Sequence, residues 1–174
     1  MIAIKRFGSS RSHEVVALVA ERIKNKPGEG RLVVDPPFQR GSVWSLTQKQ
    51  AWIESMLNDL PLPAIFINRF PFGHPTWGFD DILIDGRQRI EATYEFMQDK
   101  FSVRGELWSA QGEPFKRGFR MTIACPVIYS SFEKESECAE IYVQLLTAGT
   151  AHTAEEIEKA RKLVAQLRAE ETGK

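Results

Sequence analysis

The chain has few of the residues that hold metals or form disulfides. It contains two cysteines and three histidines among 174 residues. Cys125 and Cys138 lack Cys-x-x-Cys spacing, and His13, His74 and His152 are scattered, so no pattern for a zinc site is present. The sequence predicts two buried, reduced thiols and argues against a nuclease site built on zinc or histidine ligands.

Long apolar runs and a net charge are also missing. Hydrophobic residues make up 43% of the chain and charged residues 26%, and no apolar run approaches the roughly 20 residues of a membrane span. The first residues lack the apolar core and cleavage site of a secretory signal. These features predict a soluble, cytoplasmic protein with no membrane partner, and the length fits one domain over residues 1–174.

The balance of 23 acids and 23 bases argues against a chain that coats nucleic acid through bulk charge. The charge is uneven, however, because residues 1–50 hold nine bases and four acids, a local excess of five. This stretch could contact DNA or could be an ordinary solvated surface.

The most informative segment ends a short apolar run in Asp85-Gly86-Arg87-Gln88-Arg89. The apolar run predicts a buried strand, and the spacing after Arg87 predicts a helix that begins at the turn. Such a helix aims free N–H groups and the positive end of its dipole above the turn, which favours an anion. Gly86 would let the backbone approach that ligand, and Arg87 and Arg89 supply donors that match phosphate oxygens.

Two residues of this turn have several possible roles. Asp85 could hold a divalent metal, orient a water or cap the helix. Gln88 could orient a water or contact a base, or it could lie on a solvated surface. Taken alone, the segment fits a phosphate site and a charged helix start about equally well.

A second segment, residues 35–45, contains two prolines, then Phe38-Gln39-Arg40 and, after a short gap, Trp44. Consecutive prolines force an extended path, so the Gln-Arg pair is held in a defined place. Trp44 is interpreted as a packing anchor. Both segments lie where a loop or a strand leads into a helix, which is where backbone donors are free.

Together the two segments resemble the N-terminal domain of GmrSD-type restriction systems. That family joins an aromatic-Gln-Arg string, a tryptophan, a helix, a Pro-x-Pro strand entry and an Asp-Gly-Gln-Gln-Arg turn, which reads Asp-Gly-Arg-Gln-Arg here. The resemblance covers about residues 32–161. It implies an α+β fold of ParB/sulfiredoxin-like type, a small mixed sheet flanked by helices in a single domain. Arg87 replaces the usual first glutamine, which strengthens anion binding, and Leu146 stands where the family generally carries asparagine.

The resemblance implies that both segments meet at one pocket for a nucleoside triphosphate and Mg²⁺. Asp85 would orient Mg²⁺ or the attacking water, and an arginine would neutralise developing charge. The residues implied for nucleotide binding are Gln39, Arg40, Gly86, Arg87 and Arg89. The residues implied for catalysis are Asp85, Gln88, Arg89 and Arg40.

Three classes of function follow from this resemblance. The first is a nucleoside triphosphate hydrolase linked to DNA restriction, defence or mobile-element conflict. The alternatives are a nucleotide-gated DNA-binding module and a phage-type interaction protein with little or no catalysis. GmrSD-like systems place DNA cleavage in a separate His-rich nuclease domain or partner, so this chain alone is not expected to cut DNA. The partners implied are a nucleotide, DNA, and a nuclease or a host or defence protein.

Periodicity and capping signals predict the remaining elements. Helices are predicted at residues 13–24, 47–57, 87–97 and 154–170. Strands are predicted at residues 32–34, 64–67, 79–84, 101–103, 106–108 and 119–129, with irregular loops at 71–78 and 109–118. Ser12 is the predicted cap of the first helix, Thr47 with Gln50 that of the second, with Ser45 as an alternative, and Thr153 that of the last.

Overall fold

A mixed β-sheet lies at the centre of the fold. The computed structural model describes residues 9–39, 41–148 and 154–172. Its strands are β1 (Ser9–Val15), β2 (Leu32–Val33), β3 (Ile65–Arg69), β4 (Asp81–Asp85) and β5 (Ala124–Ser130). Its helices are α1 (Val16–Glu21), α2 (Leu46–Leu57), α3 (Arg87–Met97), α4 (Glu113–Thr122), α5 (Glu135–Ala148) and α6 (Ala154–Thr172).

The strand order is β1-β5-β3-β4-β2. Strand β5 pairs antiparallel with β1 and parallel with β3, while β4 pairs antiparallel with β3 and parallel with β2. The predicted α+β class and single domain are confirmed. The order also places β4 inside the sheet, so the turn that follows it projects from the sheet's end and not from an edge strand.

Both faces of the sheet are buried, which explains the unbroken apolar run of β4. Leu83 belongs to a core shared with α1, α2, α3 and α4. Ile82 and Ile84 belong to the opposite core, which α5 and α6 cover. Because neighbouring residues of a strand face opposite sides, the three residues between the ends of β4 all need apolar side chains.

The N-terminal region differs from the single helix predicted over residues 13–24. Residues 9–15 form β1, and the helical part begins only at Val16, where α1 is followed by a 3₁₀ turn, Arg22–Lys24, that ends where the prediction does. Strand β1 pairs with β5 along its whole length, and this long-range pairing takes residues 13–15 out of the predicted helix. The Ser12 hydroxyl donates to the Glu14 carboxylate at 2.9 Å and caps no helix.

The segment between α3 and β5 also differs from the prediction. The small strands expected at 101–103 and 106–108 are replaced by a turn with one isolated bridge. Helix α4 occupies the place of the predicted loop and of the first residues of the strand predicted at 119–129. Phe119 on α4 is buried with its ring centroid 5.3 Å from that of Trp108. Phe115 and Phe119 are spaced by four on one face of α4, and Pro114 lies in its first turn, so this helix has a local signal that the prediction did not use.

The capping box of α2 is formed by other residues than Thr47 and Gln50. The Ser45 hydroxyl accepts from the Gln48 N–H at 3.3 Å, and the Gln48 side chain accepts from the Ser45 N–H at 2.8 Å. Gln50 instead donates to the carbonyl of Ser102 at 2.8 Å. The helix thus begins at Leu46, and the alternative cap, Ser45, is the real one.

The two cysteines are buried free thiols, as predicted. Burial raises the pKa of Cys125 to about 11 and raises that of Cys138 as well, so both stay protonated near neutral pH. Helix α6 lies where the last helix is predicted, and its predicted cap, Thr153, lies outside the described residues. Within the described chain, none of the helices has the length and apolar character that a membrane crossing needs.

Candidate functional site

A cavity of about 210 Å³ lies where β4 ends and α3 begins, and we call it the motif pocket. Its walls are the turn at residues 84–89, Gln39 and Trp44 from the segment before α2, and Tyr142 and Leu146 from α5. The two segments that the sequence predicts to meet are therefore neighbours in space. Arg40, which the sequence assigns to the same place, lies outside the described residues.

Gly86 is the N-cap residue of α3 and has a φ of 107°, a conformation that favours glycine because a β-carbon is strained there. A β-carbon at this position would also lie 3.3 Å from Cγ1 of Ile65. Among the described residues, no side-chain cap is formed at this helix start. The first N–H groups of α3 thus face the pocket without a side-chain cap, at the positive end of the dipole, which favours an anion.

The two arginines of the turn contact different groups. Arg87 Nε donates to the Glu91 carboxylate one helical turn further on, at 2.8 Å. Arg89 donates through Nη1 to the carbonyl of Ala64 at 2.9 Å and through Nη2 to Oδ2 of Asp85 at 2.6 Å. The Arg89 side chain is only 12% exposed. It therefore fastens the turn to the residue that precedes β3 and holds Asp85 in place.

Gln39 lies against the end of β4. Its Nε2 contacts the carbonyl of Leu83 and donates to that of Ile84 at 3.0 Å. These carbonyls belong to the residues just before Asp85, so Gln39 connects the proline-containing segment directly to the strand that carries the turn. Phe38, the neighbour of Gln39, is buried in the core beneath α5.

Gln88 makes the second connection between the two segments. Its Oε1 accepts from the N–H of Val43 at 2.9 Å, from the N–H of Trp44 at 3.0 Å and from the hydroxyl of Ser42 at 3.2 Å. Its Nε2 lies 3.4 Å from the carbonyl of Gly41. The side chain thus contacts the loop before α2 and is not an isolated surface group.

Two wall residues received no functional role from the sequence. Tyr142 lies one helical turn before Leu146 on α5, and residues spaced by four share a face of a helix. This spacing is the sequence signal that could have placed Tyr142 beside Leu146 at the pocket. Trp44 packs against Trp52 with ring centroids 6.5 Å apart, as its interpretation as a packing anchor requires, and it also lines the pocket.

Asp85 is the site's candidate for metal binding. Its side chain is 52% exposed, and Oδ2 is paired with Arg89. In the part of the chain that the structure describes, no group of three or more histidine, cysteine, aspartate or glutamate side chains could hold a metal. One carboxylate fits Mg²⁺ when phosphate oxygens and waters complete the octahedron. Asp85 could therefore share Mg²⁺ with a bound nucleotide but does not form a metal site of its own.

A larger cavity, of about 560 Å³, lies between the start of α5 and the end of α6. Four glutamates line it against one lysine and one arginine. Glu171 already occupies the start of α5, where its carboxylate accepts from the N–H of Ser136 at 3.1 Å. This charge disfavours a phosphate ligand, so the smaller motif pocket is the better candidate for a nucleotide.

Comparison with known proteins gives one result for the whole domain. No curated protein and no solved structure matches the chain. The family described as "GmrSD restriction endonuclease, N-terminal domain" matches residues 19–167, a stretch that contains every described residue of the motif pocket. The chain therefore belongs to the GmrSD N-terminal domain family, and its role is related to restriction systems.

Proposed function

We propose that this domain binds a nucleoside triphosphate with Mg²⁺ in the motif pocket and hydrolyses it as its part in a restriction-related system. The observation that carries the proposal is the uncapped N-terminus of α3 at Gly86, which opens into a pocket walled by both sequence segments. A helix start that opens into a pocket favours a phosphate there, because its N–H donors and its dipole act on the same ligand.

The phosphates fit the side of the pocket formed by the turn. Gly86 lines the pocket at the start of α3, and the Arg87 guanidinium, which also pairs with Glu91, adds donors with the planar geometry that phosphate oxygens favour. Arg40, outside the described residues, and Arg89 are assigned to the negative charge that develops during phosphoryl transfer. Because Arg89 already pairs with Asp85, part of its effect would come from holding that carboxylate.

The nucleoside fits the opposite wall, where Trp44, Tyr142 and Leu146 provide apolar and aromatic surface. The cavity of about 210 Å³ is smaller than the roughly 300–1,000 Å³ common for ligand sites. A whole nucleotide would therefore extend from the cavity towards solvent.

Asp85 is the residue we assign to catalysis. Its half-exposed carboxylate lies at the end of β4, beside the uncapped helix start. Asp85 is the residue that would hold Mg²⁺, and the ion, when bound with the nucleotide, would supply charge neutralisation. Because phosphoryl transfer depends mainly on positioning and charge neutralisation, this set of groups is chemically sufficient. We assign DNA cleavage itself to a separate nuclease domain or partner.

Thermal unfolding with each of the four ribonucleoside triphosphates, with and without Mg²⁺, tests the binding step. A ligand at one hundred times its Kd stabilises a fold by about 2.7 kcal/mol, which raises the Tm by roughly 5–10 °C for a domain of this size. Arg87→Met should weaken binding by about ten- to a hundredfold, because a charged hydrogen bond is lost. The matched control is Arg117→Met, at an exposed arginine on α4 away from the pocket, and it should bind like the wild type.

Phosphate release tests the hydrolysis step. Asp85→Asn should leave nucleotide affinity within a few-fold but lower turnover by about a hundredfold or more, because the carboxylate is lost while the side chain keeps its size. Binding without release would instead favour the nucleotide-gated module, which predicts DNA retention only when nucleotide is present. If no triphosphate stabilises the wild-type protein, the proposal is contradicted. The remaining class of function is then the phage-type interaction protein.

A further inference from the structure

The orientation of the Gln88 amide is determined by its neighbours. The N–H groups of Val43 and Trp44 are consecutive donors that converge on one atom of the amide, at 2.9 and 3.0 Å. That atom must be an acceptor, so it is the carbonyl oxygen, and Nε2 faces the carbonyl of Gly41. Two consecutive backbone N–H groups around one oxygen form a nest, a site that binds acceptors strongly.

Among the described residues, Gln88 is the partner in the hydrogen bonds that residues 41–43 form. Residues 41–43 are exposed and form no helix or strand. The loop lies between Gln39, fixed to the end of β4, and Ser45, fixed by the capping box of α2. The Gln88 side chain reaches this stretch from the turn at residues 84–89, across more than 40 residues of sequence.

We propose that Gln88 is a positioning residue that holds the loop of residues 41–44 over the turn at residues 84–89, and we call this contact the Gln88 clamp. The proposal rests on the proposed function for its effect on nucleotide binding. Its effect on the loop itself does not depend on any ligand. It assigns a role other than water orientation, because three donors already occupy the carbonyl oxygen.

The two roles predict different kinetics. A residue that orients the attacking water changes kcat and leaves nucleotide affinity nearly unchanged. A residue that positions the loop changes affinity, because the nucleotide would then have to order the wall that contains Trp44 before it could bind. The clamp therefore predicts a larger effect on the nucleotide Kd than on kcat.

Amide hydrogen exchange of the ligand-free protein tests the clamp directly. Gln88→Met keeps the length of the side chain but offers no acceptor of comparable strength, so exchange at Val43 and Trp44 should become about tenfold faster. Gln88→Glu keeps the acceptor and should restore protection. The Ser45 amide, bound to Gln48 at 2.8 Å, is an internal control that should not change. Gln98→Met, at the exposed end of the same helix, is the matched control variant.

The nucleotide measurements are made on the same variants. Gln88→Met should weaken triphosphate binding by about tenfold, with a smaller change in kcat, and Gln98→Met should match the wild type. Unchanged exchange at Val43 and Trp44 in Gln88→Met would overturn the clamp, as would faster exchange with unchanged nucleotide affinity in a protein that binds nucleotide. If the wild type binds no triphosphate, the proposed function fails. The hydrogen-exchange data alone then confirm or overturn the Gln88 clamp.

Discussion

Asn68 is a buried polar residue whose amide joins two segments that are distant in sequence. It is fully buried on β3, where its Nδ2 donates to the carbonyl of Phe132 at 3.2 Å. Its Oδ1 accepts from the Phe132 N–H and the Ser130 hydroxyl, both at 2.8 Å. The amide thereby fixes the chain as it leaves β5 towards α5, the helix that brings Tyr142 and Leu146 to the motif pocket.

Replacing this amide should destabilise the fold strongly. Asn68→Ala leaves a buried N–H and a buried carbonyl of Phe132 without their partner, so we expect the free energy of unfolding to fall by about 2–4 kcal/mol in urea denaturation. Ser130→Ala is the matched control, because it removes one donor to the same amide and should cost about 1 kcal/mol. An equal, small loss in both variants would show that Asn68 does not join these segments.

Single residues differ in how far sequence can predict their roles. Gly86 could be predicted, because the need for a positive φ arises within its own turn. Gln88 and Asn68 could not, because their partners lie more than 40 residues away and a glutamine or asparagine carries no local sign of them. Roles set by long-range hydrogen bonds are visible only after folding has brought the partners together.

At the scale of elements, the start of α2 positions one side of the motif pocket. Ser45 caps this helix in a reciprocal box with Gln48, directly after Trp44, which lines the pocket. The cap therefore fixes the end of the same loop that Gln88 holds at its centre.

The two possible caps of α2 can be separated by substitution. Ser45→Ala removes the side-chain acceptor and should lower the free energy of unfolding by about 1 kcal/mol, or the Tm by roughly 2–4 °C. Thr47→Ala is the matched control, since Thr47 is an exposed residue within the helix, and its effect should stay within about 0.5 kcal/mol. Calorimetry on both variants checks the order, and a larger loss in Thr47→Ala would contradict the observed cap.

The strand and the helix at the motif pocket match their predictions, and β1 and α4 do not. The run of β4 and the helical spacing of α3 are contained in short stretches, so the strand and the helix at the pocket follow from sequence. Strand β1 depends on its pairing with β5, and such pairing leaves no periodic pattern in the segment itself. Helix α4 does carry a local signal, Phe115 and Phe119 spaced by four, which the prediction missed.

At the scale of the whole molecule, the motif pocket lies where two cores meet. Strand β4 separates them, α3 packs on one face of the sheet, and α5 packs on the other. The pocket therefore needs both faces to be covered before its walls are complete. The family resemblance could predict the α+β class, but the strand order depends on pairings across the chain and had to come from the structure.

A network of charged and polar side chains joins four of the five strands at the end of the sheet away from the pocket. The Tyr129 hydroxyl on β5 donates to Glu14 on β1 at 2.9 Å. The Arg69 guanidinium on β3 lies 4.3 Å from the Tyr129 ring centroid and 3.4 Å from the carboxylate of Asp81 on β4. Arg22 pairs with the same aspartate at 2.6 Å.

Tyr129 makes this network sensitive to alkaline pH. Burial, then the hydrogen bond to Glu14 and the charge of that carboxylate, raise the pKa of Tyr129 to about 12 from its usual 10, against the opposing effect of Arg22 and Arg69. The folded state therefore keeps the phenol proton that the unfolded chain loses. The stabilisation is fully present below pH 10 and is lost as the pH rises through about 12.

The difference in unfolding free energy between wild type and Tyr129→Phe isolates this group from other residues that titrate at high pH. That difference should stay constant below pH 10. Above pH 10 the wild type should lose stability relative to the variant, with a slope approaching about 1.4 kcal/mol per pH unit. Ionisation of tyrosine is followed by absorbance at 295 nm in both proteins. The folded wild type should show one phenol that ionises near pH 12, and the variant should lack that step. If the removed phenol ionised near pH 10, or if the difference stayed flat up to pH 12, Tyr129 would not hold its proton through Glu14 and the sheet would not have this alkaline limit.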